Sequence, residues 1–352
     1  MKSKAIEEIK VSAKSLHDFM MNIMLKAGVR RDVAFYVTDG LVQTSLRGVD
    51  SHGLRLFPHY LKGVKGGRIN PDPKYVFKRT SASTGKLDAD HTFGHAAGME
   101  AVRKAIELAK EAGTGHVAVY NSSHFGAAAY YALEIAKHDM IGFSFTNTDA
   151  LIKPHGGKEP FLGNNPIAFT VPCEDEEPLC LDMATSVVTF NKIRQLRDSG
   201  LEAPPGVGAD RNGVETTDPH KITTLLPIGG YKGYGLSLMI EVLCSLLTGM
   251  PYGPNIPKMF EAPMSQHRML GHFMIAVRID CFQPVSAFKK RMSLLMNDLR
   301  SSPAIDKHNP VMVSGDPEKK KRSEREKAGI PLTKIEYEAL IALAEEYGVP
   351  FP

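Results

Sequence analysis

The sequence predicts an α/β protein, because short apolar strands alternate with amphipathic helices through its middle. Residues 96–112 carry apolar side chains at i, i+3, i+4 and i+7, and residues 116–119 then form a buried run. A second helix is predicted from Gly126 to about residue 138, followed by an alternating strand at 141–145. Of the 352 residues, 43% are hydrophobic, which is enough for a large core around such a sheet.

The first part of the chain is predicted to be helical. Apolar spacing indicates helices near residues 12–27, 31–46 and 53–64. The run of glycine and proline that follows, at residues 66–73, breaks this pattern. The chain therefore divides near residue 72, where we expect one structural segment to end.

Further strands are predicted near residues 75–77, 167–171, 179–181 and 273–277, with a hairpin-like stretch running on from the first to residue 87. The Pro-, Gly- and Asp-rich stretch at 203–219 is typical of a long surface loop.

Two helices are predicted in the second half of the chain. The helix after Lys232 has apolar residues on two faces, so we expect it to be buried on most sides. Thr333 and Glu336 form the pattern of a capping box, which predicts the start of the last helix.

Composition excludes several classes of protein. The net charge is only +4, and the basic run at 319–325 is interrupted by Ser323 and Glu324, so a solvated helix face is expected rather than a nucleic-acid site. The four cysteines form no C-x-x-C pair, which indicates reduced thiols and a cytoplasmic protein. No apolar stretch before Lys26 has the form of a signal peptide, and residues 236–250 are too short for a membrane helix of ~20 residues.

Three polar segments interrupt the apolar pattern and are candidates for a site. They are residues 47–60, 121–126 and 163–166. Such segments between apolar elements cost stability unless something binds them. His124 and Asp149 each follow a predicted strand, where ligand sites of α/β sheets commonly lie. His124 is the best candidate for an acid or base, because imidazole titrates near neutrality, although a histidine at this position could also serve only to cap a helix.

No G-x-G-x-x-G follows a strand, so the motifs alone do not predict a nicotinamide cofactor. The nearest pattern, at residues 230–235, has the wrong spacing. Its Gly-flanked Lys232 would still offer an ammonium group and backbone N–H groups to a phosphate at a helix start. A plain N-terminal turn is the alternative.

Four segments, in this order, resemble the type 2 malate/L-lactate dehydrogenases, a family that also includes ureidoglycolate and sulfolactate dehydrogenases and cyclic imino-acid reductases. They are Asp50-Ser-His-Gly53, Gly163-Asn-Asn-Pro166, Asp182-Met-Ala-Thr-Ser186 and Lys232-Gly-Tyr-Gly-Leu236. The resemblance covers the whole chain. It implies a mixed sheet, unrelated to the Rossmann fold, that is flanked by helices and binds NAD or NADP.

The resemblance also implies a domain division. Residues 1–72 would form an N-terminal helical segment, and residues 73–300 a central sheet domain that holds cofactor and substrate. Residues 301–352 would pack with the N-terminal part as one helical domain. A homodimer is implied as well, and we expect the Met-rich segment 259–269 to lie at or near the partner.

The resemblance further assigns roles to residues. His124 would be the proton donor and acceptor, Asp149 would orient or stabilise its imidazolium, and His52 would assist. The substrate would contact Ser51, His52, Arg55 and Arg47. Some relatives carry the arginine four residues after the histidine, whereas here Leu56 stands there and Arg55 lies three residues after it.

The resemblance implies these cofactor-binding residues: Thr148, Gly163, Asn165, Pro166, Asp182, Met183, Ala184, Thr185, Ser186, Lys232 and Gly233. No metal is expected, because the family reaction is a direct hydride transfer. Lys153 either makes an anionic contact or reaches solvent.

The expected function is thus reversible oxidation of a 2-hydroxy acid, with malate or lactate first. Ureidoglycolate, sulfolactate and cyclic imino acids are alternatives within the family. A binding protein that kept the fold and lost turnover is a second alternative.

Overall fold

A computed structural model describes residues 9–352; residues 1–8 of the predicted first segment lie outside it. The described chain contains these strands: β1 (Ile9–Val11), β2 (Val76–Arg79), β3 (Thr84–Asp88), β4 (Thr114–Ser122), β5 (Met140–Thr146), β6 (Ile167–Val171), β7 (Leu179–Met183), β8 (Gly208–Ala209), β9 (Thr224–Leu225), β10 (Leu270–Arg278) and β11 (Ile330–Leu332). Its α-helices are α1 (Ala13–Lys26), α2 (Arg31–Leu46), α3 (Phe57–Lys65), α4 (Gly94–Ala112), α5 (Ala129–Ala136), α6 (Phe190–Asp198), α7 (Tyr231–Glu241), α8 (Val285–Arg300), α9 (Asp316–Ala328) and α10 (Lys334–Tyr347).

The centre of the molecule is a seven-stranded mixed sheet of order β2-β3-β4-β10-β5-β6-β7. Only β3 and β4 pair in parallel, and the other neighbours are antiparallel. The predicted mixed sheet flanked by helices is therefore confirmed.

The strand directions bring the polar segments to one edge of the sheet. β4 and β5 both run antiparallel to the strand between them, β10, so both end where β10 begins. β6 starts and β7 ends at the same edge, since Ile167 pairs with both Phe145 and Met183. Loops that are distant in sequence therefore meet at this edge.

One face of the sheet is packed closely by α4 and α5, with a core of alanine, valine and aromatic side chains. Gly115 of β4 permits this approach, because a Cβ at that position would lie 1.9 Å from the carbonyl oxygen of Ala105. The other face is covered by α7 and by the π-helical turn Val242–Leu246 that continues it.

The two ends of the described chain pack on each other. β1 and β11 form a small antiparallel sheet in which Ile9 pairs with Leu332. The hydrophobic cluster around α1, α2 and α3 includes side chains of α10. This packing supports the proposed helical domain built from both ends.

Several sequence predictions need correction. The helix predicted at 53–64 starts later, as α3, after two short 3-10 helices at Asp50–His52 and Leu54–Leu56. The stretch 203–219 is not a plain surface loop, because it contains β8 and buries Ala203 and Val207 in a small core of its own.

The prediction that the helix after Lys232 is buried on most sides is wrong within this chain. Leu236, Leu238 and Met239 are 38–44% exposed, because only one side of α7 packs on the sheet.

Other predictions are confirmed. Thr333 and Glu336 form the capping box of α10, and residues 319–325 lie on α9. All four cysteines are free, and only Cys281 is exposed. No helix among residues 9–352 is long and apolar enough to cross a membrane.

Candidate active site

A cleft of about 1630 Å³ opens at the edge of the sheet where the loops converge. Its walls come from α2 and the first 3-10 helix, the loops after β4 and β5, the end of β7, α6, the segment around Met259 and the start of α9. Ser51, His52, His124 and Asp149 all line it, so the structure brings these predicted residues together.

His124 lies in the loop that follows β4, and α3 holds its ring. Its Nδ1 shares a hydrogen bond of 2.7 Å with the Tyr60 hydroxyl. Its Nε2 has no hydrogen-bond partner among residues 9–352. The His52 ring stacks beside it, with ring centroids 5.7 Å apart, and Ser51 Oγ lies 2.8 Å from His52 Nδ1. The cleft therefore presents His124 Nε2 next to the Ser51 hydroxyl and the His52 ring.

The surroundings of His124 disfavour a positive charge on its ring. Burial lowers its pKa well below the ordinary value, and His52, Arg268, His95 and His59 lower it further. Loss of hydration and the charge of Arg55 lower the pKa of His52 to about 4. Both imidazoles are thus neutral at neutral pH in the free protein.

Gly126 packs tightly behind this histidine. A Cβ at Gly126 would lie 2.6 Å from Nε2 of His95, and its φ of 73° is in the left-handed region that favours glycine. Gly126 therefore serves the close packing of the His124 loop on α4, in addition to lining the cleft.

Asp149 lines the cleft but does not contact His124. Its carboxylate forms an ion pair with Arg268 and accepts a hydrogen bond of 3.0 Å from the backbone N–H of Met259. Arg268 is 2% exposed, and its Nε and Nη1 have no partner in the part of the chain that the structure describes. The expectation that Asp149 orients the His124 ring directly is not met, because Arg268 takes up the carboxylate.

The two candidate arginines differ in position. Arg47 lines the cleft, is 6% exposed, and donates a 2.7 Å hydrogen bond to Glu177, while its Nη2 has no protein partner. Arg55 is exposed and is not part of the cleft wall. Arg47 is therefore better placed than Arg55 to meet an anionic ligand.

Of the predicted cofactor residues, five line the cleft: Thr148, Pro166, Asp182, Met183 and Ala184. Asp182 is fixed by a hydrogen bond of 2.9 Å from the backbone N–H of Ala129. The other predicted residues lie outside the wall: Gly163, Asn165, Thr185, Ser186, Lys232 and Gly233.

Asn165 and Gly163 have structural roles. Asn165 is fully buried and donates to Glu241 and to the Ser237 carbonyl of α7. A Cβ at Gly163 would lie 2.3 Å from Thr148 Oγ1. The neighbouring Asn164 faces the cleft instead, and its Oδ1 is buried without a partner.

Lys232 is exposed in the first turn of α7. The loop before it is tied to the segment after β7, since the Ile228 N–H donates to the Thr185 carbonyl over 2.9 Å. Gly229 and Gly230 have positive φ angles and open space where a Cβ would stand. Lys232 therefore stands at the start of a helix, on a loop that adjoins one wall of the cleft.

Two smaller points concern Lys153 and the grouping of possible metal ligands. Lys153 donates to the carbonyl groups of Gly157 and Gly213, so it closes a loop and is not directed at a ligand. Among residues 9–352, no three His, Cys, Asp or Glu side chains are grouped in a way that could hold a metal ion.

The sequence did not reveal several residues of the site: Tyr60, His95, Asn164, Arg268 and residues 313–318. Tyr60 stands in the same polar segment as His52, and this was the available signal. The sequence contained no signal for Arg268, because its role depends on the antiparallel placement of β10 between β4 and β5.

Comparison with known proteins identifies the family. Residues 11–341 match the family model described as malate/L-lactate dehydrogenase. The chain belongs to this family. Its members are hydroxy acid dehydrogenases, and the protein is accordingly an oxidoreductase that acts on CH–OH groups.

Individual relatives match over nearly their full length. A malate dehydrogenase of Pyrococcus abyssi is 35% identical over 97% of this chain and 96% of its own. An NAD⁺-dependent ureidoglycolate dehydrogenase of Escherichia coli is 32% identical over 95% of each chain. The crystal structure of malate dehydrogenase from Entamoeba histolytica superposes with a TM-score of 0.93 at 32% identity, covering 98% of this chain and 100% of that one.

Proposed function

We propose that the protein interconverts malate or lactate with the corresponding 2-oxo acid, with His124 as the group that gives and takes the proton. The observation that carries this assignment is the free Nε2 of His124 in the cleft, next to Ser51 and His52. Malate comes first, because relatives of that name match over nearly the whole chain. Ureidoglycolate, sulfolactate and cyclic imino acids are the alternatives.

The residues divide the chemistry as follows. A bound nicotinamide supplies or accepts the hydride at C2 of the substrate. His124 delivers a proton to the substrate oxygen in reduction and removes it in oxidation. Ser51 and His52 hold the carbonyl or carboxylate close to that imidazole. Asp149 acts through Arg268 and the backbone of Met259, and so fixes this wall of the cleft.

The residues present fit a dinucleotide. Among the described residues, Asn164 Oδ1 and Ser186 Oγ are buried without partners, in the segments that resemble the family's cofactor loops. Lys232 and the unpaired N–H groups at the start of α7 offer positive charge to a phosphate. Thr148 and residues 182–184 would line the path between the buried oxygens of Asn164 and Ser186 and the start of α7. Nothing in this arrangement favours NAD over NADP.

A homodimer is part of the proposal. In the expected segment 259–269, Met259 is 8% exposed and belongs to the chain's own core, whereas Phe260 is 58% exposed. Arg68 holds the carbonyls of Met259, Ala262 and Pro263. Another group of exposed apolar residues lies on α7 and its π-helical extension: Leu236, Leu238, Met239, Val242, Leu246 and Leu247. A contiguous apolar surface of this kind is typical of an interface.

A cytoplasmic location also stays a proposal. It is supported by the four free cysteines, three of them buried, because a protein of an oxidising compartment would more often pair them. Fractionation of the producing cells tests it.

The deciding experiment follows NADH and NADPH at 340 nm with oxaloacetate, pyruvate, sulfopyruvate and a cyclic imino acid, and ureidoglycolate oxidation with NAD⁺ and NADP⁺. We expect turnover of oxaloacetate or pyruvate. Turnover of only one of the other compounds would change the assigned substrate but not the proposed type of reaction. Binding of both cofactors without any turnover would favour the non-catalytic alternative.

A further inference from the structure

Tyr60 is the only side chain that holds the His124 ring by a hydrogen bond among the described residues. Its hydroxyl has no second hydrogen-bond partner there, and the residue is 1% exposed. Edge-to-face contacts with Phe93 and His95, at 6.1 Å and 5.4 Å between ring centroids, lock the phenol in place. The 2.7 Å contact with Nδ1 is therefore a fixed feature of the site.

The titratable groups around His124 make this partner significant. His52 faces the ring from the first 3-10 helix, His59 from α3, His95 from the start of α4, and Arg268 from the segment before β10. Asp149 is paired with Arg268. Among the described residues no carboxylate hydrogen-bonds to the His124 ring, and a neutral phenol contacts Nδ1 instead.

We propose that Tyr60 is the positioning residue of His124: it holds Nε2 toward the substrate and accepts the Nδ1 proton whenever the ring is protonated. This inference rests on the proposed role of His124. A phenol can also donate its proton to Nδ1 of the neutral ring. The same contact therefore suits both states of the acid–base cycle.

The proton balance follows from this contact. In reduction, the hydride forms the new C–H bond at C2 and the carbonyl π electrons move onto the oxygen, which takes the proton from Nε2. The ring is left neutral, with its remaining proton on Nδ1 directed at the Tyr60 oxygen. In oxidation, Nε2 takes the hydroxyl proton while C2 gives up its hydride. The phenol proton is not consumed in either direction.

A phenol adds no negative charge, so it does not raise the pKa of the imidazolium as a carboxylate would. His124 then takes up its proton together with an anionic 2-oxo acid, whose charge offsets that of the imidazolium. We expect kcat/KM for reduction to fall at high pH, where this proton is no longer supplied.

The test is Tyr60→Phe, assayed with oxaloacetate, or with pyruvate if the substrate panel selects it. We expect kcat to fall about 10- to 100-fold, the scale for loss of a partner that orients a functional histidine. The alkaline limb of the pH profile should move about one unit toward acid, because a hydrogen bond to a charged ring is stronger than one to a neutral ring. The dissociation constant of NADH should not change.

Tyr131→Phe is the matched control, since its equally buried phenol donates to the Phe125 carbonyl and not to an imidazole. It should lower the melting temperature by a similar amount without moving the pH limb. Should Tyr60→Phe fold poorly, 3-fluorotyrosine at position 60 keeps the shape and weakens the acceptor, and the limb should move in the same direction by less.

Normal turnover with an unmoved pH limb in Tyr60→Phe, or an unmoved limb with fluorotyrosine, would overturn the positioning role alone. An active His124→Ala variant would instead overturn the proposed function on which it rests. The two failures are therefore distinguishable.

Discussion

His124 Nε2 lines the cleft without a hydrogen-bond partner among the described residues, and its chemistry can be tested directly. We expect His124→Ala to lower kcat by at least ~100-fold, the usual scale for a lost acid–base group, with little change in cofactor affinity. Steady-state kinetics and NADH fluorescence titration measure the two effects. His116→Ala is the matched control, because His116 lies on β4, the strand before the His124 loop, and among the described residues its ring hydrogen-bonds only to Thr114. Near-normal turnover without His124 would contradict the assignment.

At the residue scale, the sequence predicted the identity of the central groups better than their contacts. His124, His52 and Ser51 were found because polar residues stood between apolar elements. The partner of Asp149 was not found, because Arg268 reaches it only through the strand order of the folded sheet. The sequence resemblance assigned Asn165 to the cofactor, whereas Asn164 is the one that faces the cleft. Neighbouring side chains of an irregular loop carry no periodicity that would assign one of them to the cleft.

At the scale of elements, the start of α7 carries the clearest expectation. We expect Lys232→Ala to weaken cofactor binding by roughly 1.5–3 kcal/mol, if its ammonium group pairs with a phosphate. Titration of NADH fluorescence measures the dissociation constant. Lys290→Ala on α8, another exposed lysine, should leave it unchanged. An unchanged constant together with a lost kcat in Lys232→Ala would place the lysine with the catalytic groups instead.

Most elements were predictable because their periodicity is strong. Helices with one apolar face, such as α4, and strands with buried alternate residues, such as β5, lie where the pattern placed them. α7 was wrongly expected to be buried, because apolar residues on two faces do not reveal whether the second face meets the same chain or another. The short β8–β9 pair was hidden by its Gly- and Pro-rich surroundings.

At the scale of the whole molecule, the exposed apolar face of α7 predicts association. Light scattering should give about twice the 38.6 kDa of one chain. Leu246→Glu should shift the protein toward monomers, because Leu246 is the most exposed residue of that face, at 56%, and a charge there would be desolvated. Leu294→Glu on α8, at 54% exposure, is the control. A fully active wild-type monomer at assay concentration would refute the dimer.

The buried histidines predict a loss of stability in acid. Burial lowers the pKa of His95 and of His272 to about 3, so the unfolded chain takes up protons at about 6.5 and the folded chain does not. Stability should therefore fall as the pH drops below 6.5, by about 1.4 kcal/mol per pH unit for each such imidazole. Urea unfolding at pH 7.5, 6.0 and 5.0 measures this. His272→Gln should reduce the slope, whereas His138→Gln on the surface should not.

The pairing of β1 with β11 has a consequence for the order of folding during synthesis. The strand partners Ile9 and Leu332 are separated by almost the entire chain, so the ribosome must release the last strand before the first can pair. The central sheet has all of its strands by Arg278 and is free to form earlier. The 3-10 helix that carries His52 and α3, which carries Tyr60, complete their packing on the sheet only afterwards. A nascent chain would thus form the central sheet before it has the geometry needed for turnover. Catalytic activity would therefore appear only after the final helix has been translated.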